Sequence, residues 1–351
     1  MISKTLFRSN YTYFNGNYIV NGRYHDKFFK LEKRALRIGE EFNSKFPDSI
    51  DLKITNKCSH GCPFCHESST KDGKSFDLEK TKLILSQLPS EPIEVAIGGG
   101  NVVECLDELK DLCAWLIERN NRPRITINVK DIIGPWDDPK IRDICNFVSN
   151  NIEGIGISLE SLDFLDNITP IYEQYMRSSL VSEYVNSCPT TGKIPYESCN
   201  DILGKLLTPD NKYELNSVVY HIIAGIFPVS QLKRLISMLE QNEGLLILGY
   251  KQWGRAKDSE LPDMTEWKKE LQDILSESRR FYIGFDNLAC EQLSIKDIVK
   301  KDIWDEIYMG DEGSCSMYID AVKGEFARTS RSPERVSWDN IKLLDYYASL
   351  H

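Results

Sequence analysis

The sequence predicts an α/β fold: a parallel sheet with helical crossovers, carrying a small N-terminal β element and an α+β C-terminal extension. Three observations predict it. From Ser49 onward, short β-forming runs alternate with amphipathic helical stretches, about six strand–helix units in all, which is the pattern of parallel strands joined by crossover helices. The first 48 residues depart from that rhythm, being aromatic-rich and marked by Asn-Gly pairs at 15–16 and 21–22. The last stretch, from residue 261, departs from it again, with a hairpin pattern in "CSMYIDAVKGEFA".

The elements follow in order. Asn-Gly between β-formers is a hairpin signal, so "YTYFNGNYIVNGRYHDKFFKLE" reads as a β-hairpin, followed by a helical stretch around 30–44. "SIDLKIT" is the first strand of the main unit, and "FDLEKTKLILSQL" is a helix. "IEVAIGGG" is a short apolar strand running into glycines, and "VVECLDELKDLCAWLIERN" is a strongly periodic helix. "RITINV" is a strand, "DPKIRDICNFVSNN" a helix with Pro139 near its start, and "GIGISL" a strand. Residues 161–215, with Pro170, Pro189, Pro195 and Pro209, are too long for a connection and read as an insertion. The alternation then resumes with "SVVYHIIAG", "PVSQLKRLISMLEQ", "GLLILGY" and "DMTEWKKELQDILSES", with "RRFYIGF" as one more strand. The expected organisation is thus 1–48, 49–260 with its insertion, and 261–351.

The 351 residues are 41% hydrophobic and 27% charged, in the range of a globular protein with a sizeable core. No apolar run is long enough to span a bilayer, and the first residues lack a signal-peptide pattern, so the cytoplasm is the expected compartment. A net charge of -10 weighs against a nucleic-acid partner. Ten cysteines in so long a chain do not read as a secreted disulfide framework. Cys105, Cys113 and Cys145 lie on apolar-periodic helices and are expected to be small buried hydrophobes. Cys188, Cys199, Cys290 and Cys315 lie in less regular segments.

The densest chemistry is "KCSHGCPFCHES", residues 57–68, directly after the first strand of the main unit. Thiolates this close bind zinc or an iron–sulfur cluster. Structural zinc usually takes two well-separated cysteine pairs, and no second Cys-x-x-Cys exists here. His60 and His66 either complete a zinc site or pack beside the loop. In parallel α/β folds ligands bind at the carboxyl ends of strands, so this loop, the glycines of "GGGN" and the ends of later strands should share one face.

The spacing Cys58-x3-Cys62-x2-Cys65, with Phe64 before the third cysteine, resembles the signature of the radical S-adenosylmethionine (radical SAM) superfamily. The resemblance covers roughly residues 49–255. It implies a partial (β/α)6 TIM-like barrel, a [4Fe-4S] cluster held by Cys58, Cys62 and Cys65, and S-adenosyl-L-methionine on the open iron. It further implies that Gly98, Gly99, Gly100 and Asn101 meet the methionine group, although Asn101 stands where the family usually has an acidic residue, with Glu104 as another source of that charge. Asn128, Ser158 and Glu160 match strand ends that contact the cofactor or substrate, and Ile223, with Gly225, matches the strand that backs the adenine. His221, on that same strand, reads more simply as a core residue. Tyr250, Lys251 and Arg255 in "LGYKQWGRA" are expected at the mouth, as substrate or adenine contacts.

The tail "GDEGSCSMYIDAVKGEF" resembles the C-terminal extension (SPASM/twitch) of peptide- and protein-modifying members, in degenerate form, since no cysteine follows the hairpin. An auxiliary cluster on Cys188, Cys199, Cys290 and Cys315 is one reading of the remaining thiols; unligated thiols are the other. The resemblance implies an oxygen-sensitive enzyme that cleaves S-adenosylmethionine reductively to a 5′-deoxyadenosyl radical and abstracts hydrogen from a peptide or protein. A small metabolite or nucleoside is the alternative substrate. It also implies a flavodoxin- or ferredoxin-like reductant. A zinc-stabilised binding module without catalysis is the reading from a different class.

Overall fold

The computed structural model describes residues 11–15, 18–20, 46, 47, 49–90, 93–133, 138–152, 154–163, 218–239, 243–276, 282–301, 304, 308, 312, 313 and 316–351. A single twelve-stranded sheet organises them, in the order β12-β11-β10-β3-β4-β5-β6-β7-β8-β9-β1-β2. Strands β3 (Ser49–Thr55), β4 (Glu94–Gly99), β5 (Arg122–Asn128), β6 (Ile155–Leu159), β7 (Val218–Ile223), β8 (Glu243–Leu248) and β9 (Tyr282–Asp286) pair in sequence and in parallel. β10 (Ser316–Asp320) adds to β3, also parallel. Only the outer strands are antiparallel: β11 (Glu325–Ala327) and β12 (Val336–Ser337) on one side, and β1 (Tyr11–Asn15) and β2 (Tyr18–Val20) on the other.

The strands form as their patterns dictate. β3 is buried along almost its whole length, with Ile50, Leu52 and Ile54 in the core, as a parallel strand covered on both faces should be. β5 alternates buried and half-buried positions. Helices fill the crossovers. α1 (Leu78–Leu85) starts at Asp77, whose carboxylate accepts from Lys80 N at 3.0 Å. A short 3-10 turn, Val102–Cys105, leads into α2 (Leu106–Glu118), which buries Leu109, Leu112, Cys113 and Leu116 as one stripe. α3 (Pro139–Asn151) begins with Asp138 as cap and Pro139 in its first turn. α4 (Leu232–Met238) and α5 (Thr265–Ser276) cover the later strands. Two short helices, α6 (Asn287–Gln292) and α7 (Ile295–Ile298), follow β9, and α8 (Leu343–Ser349) closes the chain.

The expected strand–helix alternation is therefore present, and the hairpin at the first Asn-Gly pair forms with Asn15 opposite Tyr18. The sheet also runs further than the alternation alone indicated. β9 and β10, which belong to the stretch read as a C-terminal extension, hydrogen-bond to β8 and β3 in parallel, and β1 pairs with β9. Both flanking segments are thus woven into one sheet, because the edges of the central strands need partners for their backbone groups. The helical stretch expected around 30–44 and nearly all of the insertion lie outside the described residues. No helix among the described residues is long and apolar enough to cross a membrane.

Candidate active site

The carboxyl ends of the parallel strands open into a cavity of about 360 Å³. Twelve of the sequence-predicted site residues line it: Cys58, Cys62, Phe64 and Cys65 from the loop after β3, Gly98, Gly99, Gly100 and Asn101 from the turn after β4, Asn128 ending β5, Ser158 and Glu160 at the end of β6, and Ile223 ending β7.

The cysteine loop is stapled to its own return. Asn56 N donates to Lys74 O at 2.8 Å, Cys58 N to Thr70 O at 2.8 Å and Thr70 N to Asn56 O at 3.0 Å. The glycine turn is tied to the same base: Gly100 N donates to Thr55 O and Asn101 N to Lys57 O, each at 2.7 Å. Here glycine is required by space. A Cβ on Gly100 would lie 2.3 Å from Lys57 O, and Gly99 adopts φ +126° with Thr55 O only 2.5 Å from where its Cβ would be. Gly98 differs, since a Cβ there would meet nothing within 4 Å.

The three thiols are free and half-buried. Among the described residues, no three His, Cys, Asp or Glu side chains converge on a point that a single metal ion would occupy. Burial raises the Cys58 thiol, and burial followed by the Glu160 carboxylate pushes Cys62 up to about 11. Cys62 Sγ lies 3.4 Å from Glu160 Oε1, which also receives the Lys130 ammonium at 2.7 Å. Burial alone would raise the Glu160 carboxyl, but Lys130 prevails and holds it below its usual range.

Asn101 lines the cavity, whereas Glu104 does not. Glu104 Oε1 accepts from both the backbone N and the Oγ of Ser59, each at 2.7 Å, so it caps the cysteine loop and does not line the cavity. Asn101 Oδ1 accepts from Val103 N at 3.3 Å, capping the 3-10 turn, while its Nδ2 donates to Asp131 Oδ1 at 2.8 Å. Asp131, just past β5, is a buried carboxylate that the sequence reading missed by stopping at Asn128. It also takes His60 Nε2 at 3.1 Å, and this hydrogen bond raises the His60 pKa. Because a carboxylate only accepts, Nε2 is the donor there, and its 3.1 Å approach to Asn101 Nδ2 is packing. His60 is thereby accounted for without a metal. His66 lies 3.5 Å from Glu67 Oε1 and lines the cavity, its basicity depressed by burial and by Lys251 and Lys53.

Three polar side chains stand in register across adjacent strands: Asn128 on β5, Ser158 on β6 and His221 on β7. His221 lines the cavity, which corrects its reading as an enclosed core residue, and the surrounding protein holds its pKa down at about 4. The far wall, from β3 and β10, carries Lys53 in contact with Glu67 and 3.3 Å from Asp320, with Tyr318 nearby. No spacing in the sequence announced that wall, because β10 pairs with β3 across 267 positions, as Asp320 with Lys53.

Of the three residues expected at the mouth, only Lys251 lines the cavity, donating to Ser330 Oγ at 3.2 Å. Tyr250 is buried, with its backbone bonded to the Gln292 amide. Arg255 grips the back of the cysteine loop. Cys105, Cys113 and Cys145 are buried as expected, and Cys290 is a buried thiol that burial pushes up to about 12. Cys188, Cys199 and Cys315 lie outside the described residues.

No protein-family model matches this chain, and no curated protein matches it. Among solved structures, Streptococcus suis SuiB bound to S-adenosylmethionine matches with a TM-score of 0.56 at 14% identity, over 86% of this chain and 66% of that one. Streptococcus suis SuiB bound to its precursor peptide SuiA gives a TM-score of 0.56 at 14% identity, over 86% of this chain and 65% of that one. This chain therefore spans just under two thirds of SuiB, and at this identity the likeness is one of fold.

Proposed function

We propose that this chain is a radical SAM enzyme that acts on a peptide or protein substrate. The observation that carries the reading is the meeting of Cys58, Cys62 and Cys65 with the Gly98–Asn101 turn in one cavity at the strand ends. The SuiB structures support it, since that protein shares the fold and was captured with S-adenosylmethionine and with a precursor peptide.

The residues fit the implied groups. Three half-buried, unpaired thiols on one loop suit a [4Fe-4S] cluster with one iron left open. The open space at Gly98 suits a ligand lying against the backbone. Such a cluster, when bound, supplies the electron that cleaves S-adenosylmethionine to the 5′-deoxyadenosyl radical. The protein's part is to bind, orient and exclude water. Cys58, Cys62 and Cys65 would hold the cluster, and Phe64 lines the cavity beside them. Gly98, Gly99, Gly100 and Asn101 receive the methionine group. Asn128, Ser158 and Glu160 take polar parts of the cofactor, and Ile223 gives its ring an apolar backing. The wall built from Lys53, Glu67 and Tyr318, with Asp320 pairing Lys53 behind it, is the substrate side.

In this reading the strands form a partial (β/α)6 barrel over 49–260, with 1–48 and 261–351 as additions along its two edges. A flavodoxin- or ferredoxin-like protein delivers the electron. The cytoplasm, where thiols stay reduced, suits the cluster. The test is anaerobic reconstitution with iron and sulfide. The proposal expects about four irons per chain and a reduced-cluster paramagnetic signal that changes when S-adenosylmethionine is added. Stoichiometric zinc with no such signal would overturn it in favour of a zinc-stapled binding module.

A further inference from the structure

The cysteine loop has two halves, and they are held from different places. The Cys58 half is bonded to Thr70, and Glu104 receives both donors of Ser59. Within the Cys62–Ser69 half the backbone bonds are longer, Cys65 N to Cys62 O at 3.2 Å and Ser68 N to Cys65 O at 3.4 Å. What grips that half comes from the turn after β8.

Arg255 makes three hydrogen bonds to it. Its backbone N donates to Cys65 O at 3.0 Å, its Nε to Cys62 O at 2.8 Å and its Nη1 to Ser69 O at 2.6 Å. The contact is close enough to dictate the preceding residue. Gly254 adopts φ +56°, and a Cβ there would stand 2.4 Å from His66 O and 2.7 Å from Cys65 O. Gly254 and Arg255 thus seat one backbone directly on another, and the planar guanidinium meets two carbonyls through fixed N–H groups.

We propose that Arg255 is the positioning residue of the cysteine loop. It fixes Cys62 and Cys65 through their carbonyls, and it sets a permanent positive charge against the backbone of the loop that carries the thiols, which makes a bound cluster easier to reduce. The inference rests on the radical SAM reading for its second half only. The charge argument is general: hydrogen bonds and nearby charge set iron–sulfur potentials, and a cation favours the state that has gained an electron.

The test uses wild type, Arg255→Met and Arg255→Lys, with two independent readouts. In the metal-free proteins, alkylation of each cysteine is followed by mass spectrometry. Arg255→Met should make Cys62 react about tenfold faster while Cys58 is unchanged, for the loss of the two charge-assisted side-chain hydrogen bonds to Cys62 O and Ser69 O; Cys65, whose carbonyl keeps the backbone N–H of residue 255, should change less. In the reconstituted proteins, the cluster midpoint potential is measured by paramagnetic resonance. Arg255→Met should shift it to more negative values, and Arg255→Lys should restore the potential but leave Cys62 over-reactive. Unchanged alkylation in Arg255→Met would overturn the positioning role, and an unchanged potential would overturn the electrostatic one. A wild type that takes up no iron would remove the radical SAM reading and the electrostatic role with it, while the alkylation result would still decide the clamp.

Discussion

Asn101 Nδ2 donates to Asp131 Oδ1 at 2.8 Å, so the residue that ends the glycine turn is tied to a buried carboxylate 30 positions further on. With Oδ1 committed to Val103 N, both ends of the Asn101 amide are engaged, and its orientation at the cavity is fixed. A buried carboxylate, Asp131, thus stands directly behind the residue that ends the glycine turn.

If that carboxylate orients the turn, Asp131→Ala should weaken S-adenosylmethionine binding about tenfold, on the scale of one or two lost hydrogen bonds, with the iron content unchanged. Equilibrium dialysis on the reconstituted protein measures it. Equal affinity in the two proteins would detach Asp131 from the binding turn.

The glycines of the turn should separate into two kinds. Gly100→Ala forces a Cβ to 2.3 Å from Lys57 O and should cost about 2 kcal/mol of folding stability. Gly98→Ala meets nothing within 4 Å, so its melting temperature should match wild type while S-adenosylmethionine binding falls. Denaturant melts paired with a binding assay decide it; a Gly98→Ala protein that binds normally would move the ligand away from this turn.

His221 gives a pH signature. Its pKa is held at about 4, below the 6.5 of a free imidazole, so the unfolded chain binds the proton more readily than the native one. Its contribution is complete above pH 6.5 and is lost as the pH falls toward 4. The loss is on the order of 2 kcal/mol once the water of the cavity it lines is allowed for. His221→Gln should flatten the stability profile across that interval. Parallel profiles in urea titrations would show that the ring is freely protonated in the native state.

Lys53 carries the far wall. Its side chain is only 6% exposed and serves two buried carboxylates, Glu67 and Asp320. Lys53→Met should cost about 3 kcal/mol by leaving those charges unpaired, and the triple change Lys53→Met, Glu67→Gln, Asp320→Asn should recover most of it. Urea unfolding of the two variants is the check. A single variant as stable as wild type would mean the carboxylates find other partners.

The sequence made the strand–helix alternation and the cofactor half of the cavity legible because both are local. Period-2 and period-3.6 patterns mark β5 and α2 within a few residues, and three cysteines within eight positions announce their own loop. What stayed hidden is what the topology assembles from a distance. Nothing near Lys53 points to Asp320, since β10 joins β3 only in the folded sheet. Arg255 reads from sequence as a contact at the mouth, and its acceptors are backbone carbonyls that any sequence could supply. His221 was misread because one inward position on a strand looks the same whether it faces core or cavity.

The measurement that bears most directly on the central claim is 5′-deoxyadenosine formation. The protein, purified and reconstituted without oxygen, is mixed with dithionite and S-adenosylmethionine, alongside the variant in which Cys58, Cys62 and Cys65 are alanine. The account predicts 5′-deoxyadenosine from the wild type and none from the variant. Equal amounts from both, or none from a wild type with a full complement of iron, would contradict it.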